Sequence, residues 1–92
     1  MKFNPGQMVL TRGVYELTTS DERFARHVQR SLIRHLAGDW GDVCEEDREA
    51  NEEALRNGER LFSVYRQEGL PTIWIITEWD RSVTTTLFPD EY

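Results

Sequence analysis

A single cysteine, Cys44, in 92 residues excludes an internal disulfide and a cysteine-built zinc site, and suits reducing conditions. Nowhere do eighteen apolar residues run together, so no transmembrane helix is expected. The opening "MKFNPGQMVL" puts Pro5 and Gly6 where a secretory signal needs a continuous apolar segment, and the expectation is a cytoplasmic protein. Repeats and low-complexity tracts are missing. So are a glycine-rich phosphate loop, a Gly-x-Ser-x-Gly elbow and a paired-histidine motif, which makes an enzyme the weakest functional class.

What is present suits one domain with one core. A chain of this length buries about 60–68% of its extended surface, which leaves no room for a second core. The hydrophobic share of 38%, with ten aromatics, is enough to fill it. Residues 1–92 are therefore read as a single α+β domain. The net charge of −6 hides a split. Residues 1–37 hold six basic and three acidic side chains, whereas residues 38–92 hold five basic and fourteen acidic ones.

Period and punctuation place the elements. Met8 to Leu10 fit a brief strand, and "RGVYEL" after it reads equally as a further strand or a helical turn. "TSDERFARHVQRSLIRHLAG" predicts a helix over about 20–37, with Thr19 and Glu22 spaced as a capping box and Gly38 as the stop. Phe24, Val28, Leu32 and Leu36 form its apolar face, and Arg23, Arg26, Arg30 and Arg34 line the opposite side. A second helix over 43–57 follows, with Asp42 placed as N-cap, early acids at the positive end of the dipole, and "NG" at 57–58 as its end. It can bury only Ala50, Ala54 and Leu55, so it should lie on the surface with Glu45, Glu49, Glu52 and Glu53 outward. "RLFSVYRQ", "TIWIITE" and "SVTTTLF" read as a three-stranded antiparallel meander, with the two-faced apolar run 72–78 in its centre. The expected order is β-α-α-β-β-β.

Candidate chemistry is sparse. His27 and His35 are eight residues apart, about 80° different in direction round a helix, and read as a surface and a boundary histidine. Cys44, at the start of a helix, could serve as a nucleophile, but three carboxylates follow it directly and favour a small structural residue. No metal or cofactor is implied. Trp40, between Gly38 and Gly41 in "GDWGD", reads either as a core plug or as an anchor for a partner. Trp74, Trp79 and Tyr65 could form a base-stacking platform, but the segment 60–92 is acidic overall and repels phosphate. The four arginines are the best nucleic-acid signal; they serve as a solvated face, as partners of the acidic helix, or as phosphate contacts.

The phrases "FNPGQMVLTRGV", "GDWGDVCEEDREANEEAL", "RLFSVY" and "IWIITEWDRSVTTTLFPDEY" resemble a family of short bacterial plasmid-related or mobile-element proteins, sometimes labelled type I restriction endonuclease M subunit. The label implies adenine methylation, which needs a glycine-rich cofactor strand and an Asn/Asp-Pro-Pro-Tyr/Phe motif. Neither occurs, the nearest fragment being "FPDEY" at 88–92. The resemblance implies no site residue. The element order is also that of RelE/ParE-like toxins, which are generally basic, unlike this chain with its isoelectric point near 4.8.

The expectation from sequence is thus a non-enzymatic, macromolecule-binding accessory protein, with Glu45, Glu49, Glu52, Glu53 and Trp40 as binding residues. Its carboxylates would mimic the phosphate line of nucleic acid, and its partner would be another protein rather than a membrane. The alternative is a RelE/ParE-like toxin or RNA-binding nuclease, with Arg23, Arg26, Arg30 and Arg34 on the RNA and Tyr65 or a histidine assisting.

Overall fold

The computed structural model describes all residues, 1–92. In chain order the elements are β1 (Gln7–Leu10), α1 (Arg12–Ser20), α2 (Glu22–Leu36), α3 (Glu45–Asn57), β2 (Leu61–Tyr65), β3 (Ile73–Thr77), β4 (Val83–Leu87) and a 3-10 turn at Pro89–Glu91. No helix is long and apolar enough to cross a membrane.

β2, β3 and β4 pair antiparallel, Leu61 opposite Thr77, Tyr65 opposite Ile73 and Trp74 opposite Leu87. β3 lies between its two neighbours, as its two-faced apolarity requires. Ile73 and Ile75 join Val14, Phe24, Val28 and Tyr65 in the main core beneath the helices. Trp74, on the other face, packs edge-on against Phe62 and Tyr92.

The expected order needs two corrections. β1 does not stand apart: it pairs in parallel with β4, Gln7 opposite Val83 through Leu10 opposite Thr86. The sheet is therefore four-stranded and mixed, ordered β1-β4-β3-β2, and β4 is interior as well as β3. A parallel neighbour needs a long crossover, which the helices between β1 and β2 help to provide.

The second correction is a third helix, so that the order becomes β-α-α-α-β-β-β. The ambiguous "RGVYEL" is helical because Val14 and Leu17, three apart, reach the core. Its exposed amides find a cap from the far end of the chain. The Glu91 carboxylate accepts from the Thr11 hydroxyl at 2.6 Å, the Gly13 amide at 3.1 Å and the Phe88 amide at 2.8 Å. Burial pulls the Glu91 pKa up, but these hydrogen bonds hold it below the ordinary carboxylate value.

The extra helix also shifts the start of the next one. Asp21 caps α2, accepting from the Phe24 amide at 3.1 Å. Thr19 instead ends α1, where its hydroxyl donates to the Glu16 carbonyl.

A chain of hydrogen bonds runs under the helices through side chains that are all buried. Its direction follows from the one member that can only accept. The Thr84 hydroxyl donates to the Pro5 carbonyl at 2.7 Å, so its oxygen accepts from Thr77, also at 2.7 Å. Thr77 in turn accepts from His35 Nε2–H at 2.9 Å, which leaves Nδ1 to accept from the Ser63 hydroxyl at 2.6 Å. His35 is thereby fixed as the neutral Nε2–H tautomer. Burial, with Arg81 nearby, lowers its pKa to about 4. It is no boundary residue. His27, expected at the surface, is only 4% exposed.

The depressed His35 pKa sets a pH dependence. An unfolded His35 takes up its proton near pH 6.5 while the folded one stays neutral until about 4, so the unfolded state binds more protons in between. Stability is full above about pH 6.5 and falls as pH drops toward 4, by roughly 3 kcal/mol if the shift is fully expressed. His27, also lowered by burial, adds a loss of the same sign. Urea unfolding at a series of pH values should show this decline, and His35→Gln should flatten much of it while starting from a lower stability at pH 7.5.

Candidate functional site

The acidic helix α3 begins at Glu45, two residues later than the sequence suggests. Its N-cap is Cys44, which makes no side-chain cap bond. Asp42 is drawn elsewhere: its amide donates to the Val64 carbonyl and its carboxylate accepts from the Arg66 amide at 2.8 Å. Glu45, Glu46 and Asp47 fill the first turn, where the unsatisfied amides favour negative charge. Gly58 ends the helix at φ 69°, a left-handed conformation that glycine adopts without penalty.

What holds α3 is mostly polar. Asn51 is buried and grips the edge of β2 with both ends of its amide, Nδ2–H donating to the Phe62 carbonyl at 2.7 Å and Oδ1 accepting from the Phe62 amide at 3.0 Å. It behaves as one residue of an additional strand. Ala54 packs with Trp40 and Leu61, and Leu55 lies beside them. Ala50, expected in that face, is exposed. Arg81, in the β3–β4 turn, donates through Nη2 to the Ala54 carbonyl at 3.1 Å and through Nη1 to the Glu59 carbonyl. It thereby supplies positive charge to the C-terminal end of the helix. Arg81 itself holds φ 60°, unusual for a residue with a side chain.

Trp40 reaches α3 from inside. It is 3% exposed, and its indole N–H donates to Glu52 Oε2 at 2.7 Å. It is therefore a plug between α2 and α3 and has no free face to offer a partner. Gly41 next to it has φ 74° and lies against β2, where a Cβ would collide with the Val64 carbonyl and the Tyr65 ring.

The four expected glutamates thus separate. Glu52 is tied to Trp40, and Glu45 pairs with Arg48 at 3.4 Å. Glu49 and Glu53 are exposed and make no ion pair or side-chain hydrogen bond, and Glu46 and Asp47 stand likewise free in the first turn. The arginines of α2 do not neutralise any of them. The Arg34 guanidinium instead binds Asp39 twice, at 2.7 and 3.1 Å, and holds that carboxyl below its usual pKa. Arg23, Arg26 and Arg30 make no ion pair.

Other candidates from the sequence do not assemble. Tyr65 is buried, its hydroxyl donates to the Asp39 carbonyl at 2.6 Å, and burial raises its pKa. Trp79 is exposed in a turn while Trp74 lies on the outer sheet face, so no common platform with Tyr65 exists. No three His, Cys, Asp or Glu side chains are grouped to hold a metal ion. An open groove of about 780 Å³ lies between α1 and the 3-10 turn, floored by Leu17 and Phe88 with Glu16 and Asp90 among its lining residues. It lies apart from α3.

No protein-family model, no curated protein and no solved structure matches the chain.

Asn51 and Arg81 are the residues that sequence reasoning missed. The spacing of Asn51, Ala54 and Leu55 was the only signal for the first. Asn51→Ala should leave the Phe62 amide and carbonyl without partners and cost about 1–3 kcal/mol. Hydrogen exchange of the Phe62 amide, monitored by NMR, should speed up accordingly, and the amides of Ile73 and Ile75 should change least.

Proposed function

We propose that this protein works without catalysis, by presenting the carboxylate face of α3 to a positively charged surface of another protein. One observation carries this reading: α3 exposes its acids on a helix anchored from beneath, with the arginines of α2 directed elsewhere. Its thirteen residues span about 20 Å and carry six carboxylates, or one per about 3.3 Å of axis. A single DNA strand carries one phosphate per about 3.4 Å. Arg48 and Arg56 offset part of that charge, so the likeness to a phosphate line is strongest between Glu45 and Glu53. A partner that normally grips nucleic acid would meet comparable charge on a rigid rod, in keeping with an accessory role of the kind that the plasmid-related resemblance implies.

Catalysis by a toxin-like nuclease is the second reading, favoured by the free Arg23, Arg26 and Arg30. Arrest of growth on expression would support it.

The decisive substitutions are Glu49→Lys with Glu53→Lys, because neither residue has an internal partner. Since the two glutamates repel at i,i+4, stability should stay within about 0.5 kcal/mol of the parent. Capture of partners from bacterial lysate should be lost, and duplex DNA should compete with the parent for the same partners. An unchanged captured set would reduce the acidic run to a solvated face.

A further inference from the structure

The two edges of the sheet are treated differently. On β2 every outward-facing backbone group near the middle is satisfied from within the chain. Asn51 takes both groups of Phe62. The Val64 amide donates to the Trp40 carbonyl at 3.2 Å, the Val64 carbonyl accepts from the Asp42 amide at 2.6 Å, and the Arg66 amide donates to the Asp42 carboxylate. That edge is closed.

β1, at the other edge, is open. The Gln7 amide donates to the Ser82 carbonyl and the Thr11 amide to the Thr86 carbonyl, both at 3.0 Å. Backbone groups alternate along a strand, so Val9 also faces β4, and Met8 and Leu10 turn their N–H and C=O groups away from the sheet. Their side chains stand at 45% and 37% exposure, and Tyr15 follows at 58% in the first turns of α1. Exposed edges are ordinarily protected by a lysine, a proline within the strand, a bulge or a covering loop. Between Gln7 and Thr11 there is neither charge nor proline.

We propose that β1 is a self-association edge, pairing antiparallel with β1 of a second copy across a two-fold axis at Val9. The sequence of the edge is what selects a second copy. With Val9 opposite Val9, Met8 of each copy stands opposite Leu10 of the other. The outward groups of these residues then form four backbone hydrogen bonds, and the apolar side chains meet on the helix-bearing face. Gln7 falls opposite Thr11 and Gly6 opposite Arg12, so no charge faces a like charge. Two four-stranded sheets become one of eight strands, and a two-fold closes the assembly at two copies. The contact is small beside the roughly 800 Å² per partner of a standard interface, so pairing is reversible and concentration-dependent. It does not involve α3, and its outcome is separate from that of the acidic surface.

The register makes the proposal testable by crosslinking. Directly opposed residues of a non-hydrogen-bonded antiparallel pair have Cα atoms about 4.5 Å apart, within disulfide reach. Val9→Cys in a Cys44→Ser background should therefore oxidise to a covalent dimer at least about tenfold faster than Ile33→Cys in the same background, which places the thiol on the exposed side of α2. Sedimentation velocity from about 10 µM to about 1 mM should show the mass rising from 10.8 kDa toward twice that value. Met8→Lys with Leu10→Lys, at exposed positions, should keep the circular dichroism spectrum and abolish the rise. A monomer throughout the range, a lysine variant that associates like the parent, or a Val9→Cys protein that crosslinks no faster than the Ile33→Cys control would overturn the proposal. If the lysine variant fails to fold, the crosslinking comparison decides alone.

Discussion

The hydrogen-bond chain through His35 is the constraint on which the other contacts depend. It begins at Ser63 on β2, passes through His35 on α2, Thr77 on β3 and Thr84 on β4, and ends at the Pro5 carbonyl just before β1. One imidazole thereby joins the helix layer to three strands and the N-terminal segment. Every donor in it has one acceptor, and only one proton arrangement satisfies all five groups. Such a network rigidifies because any displaced member leaves a buried polar atom unpaired. The apolar core of Val14, Phe24, Val28, Tyr65, Ile73 and Ile75 fills the space beside it but does not by itself fix how α2 sits on the sheet.

With α2 fixed in that way, the charges fall apart rather than together. Its outer arginines point away from the sheet, and α3 is held at the far edge of β2 by Asn51, by Arg81 and by the Trp40–Glu52 contact. The polar clamp substitutes for an apolar face that α3 does not have. Carboxylates on such a helix remain in water, where they repel one another by a few tenths of a kcal/mol at i,i+4 spacing. An edge-docked helix tolerates that repulsion because its anchor lies on the opposite side.

The same clamp explains the asymmetry of the sheet. Asn51, Trp40 and Asp42 complete the hydrogen bonding of β2, so that edge has nothing left to offer a further strand. β1 joins at the opposite side by parallel pairing alone and keeps its outward groups free. The aromatic cover of Phe62, Trp74 and Tyr92 shields the middle of the outer face, which leaves the β1 edge as the place where backbone and apolar side chains are exposed together.

The α+β class, the basic amphipathic helix, the exposed acidic helix ending at Gly58 and the place of β3 between β2 and β4 are legible in the amino-acid sequence. These follow from local periodicity and turn residues, which act over a few positions. The remainder depends on contacts made across the fold. "RGVYELTTS" became a helix because Glu91, near the other end of the chain, caps it. Thr77 and Thr84 became buried polar links because His35 reaches them. Asn51, ordinary in a polar helix, became a strand-edge clamp because the Phe62 backbone lies beneath it. In each case the deciding partner is a hydrogen-bonding group distant in sequence, and no local pattern records where such a group will stand.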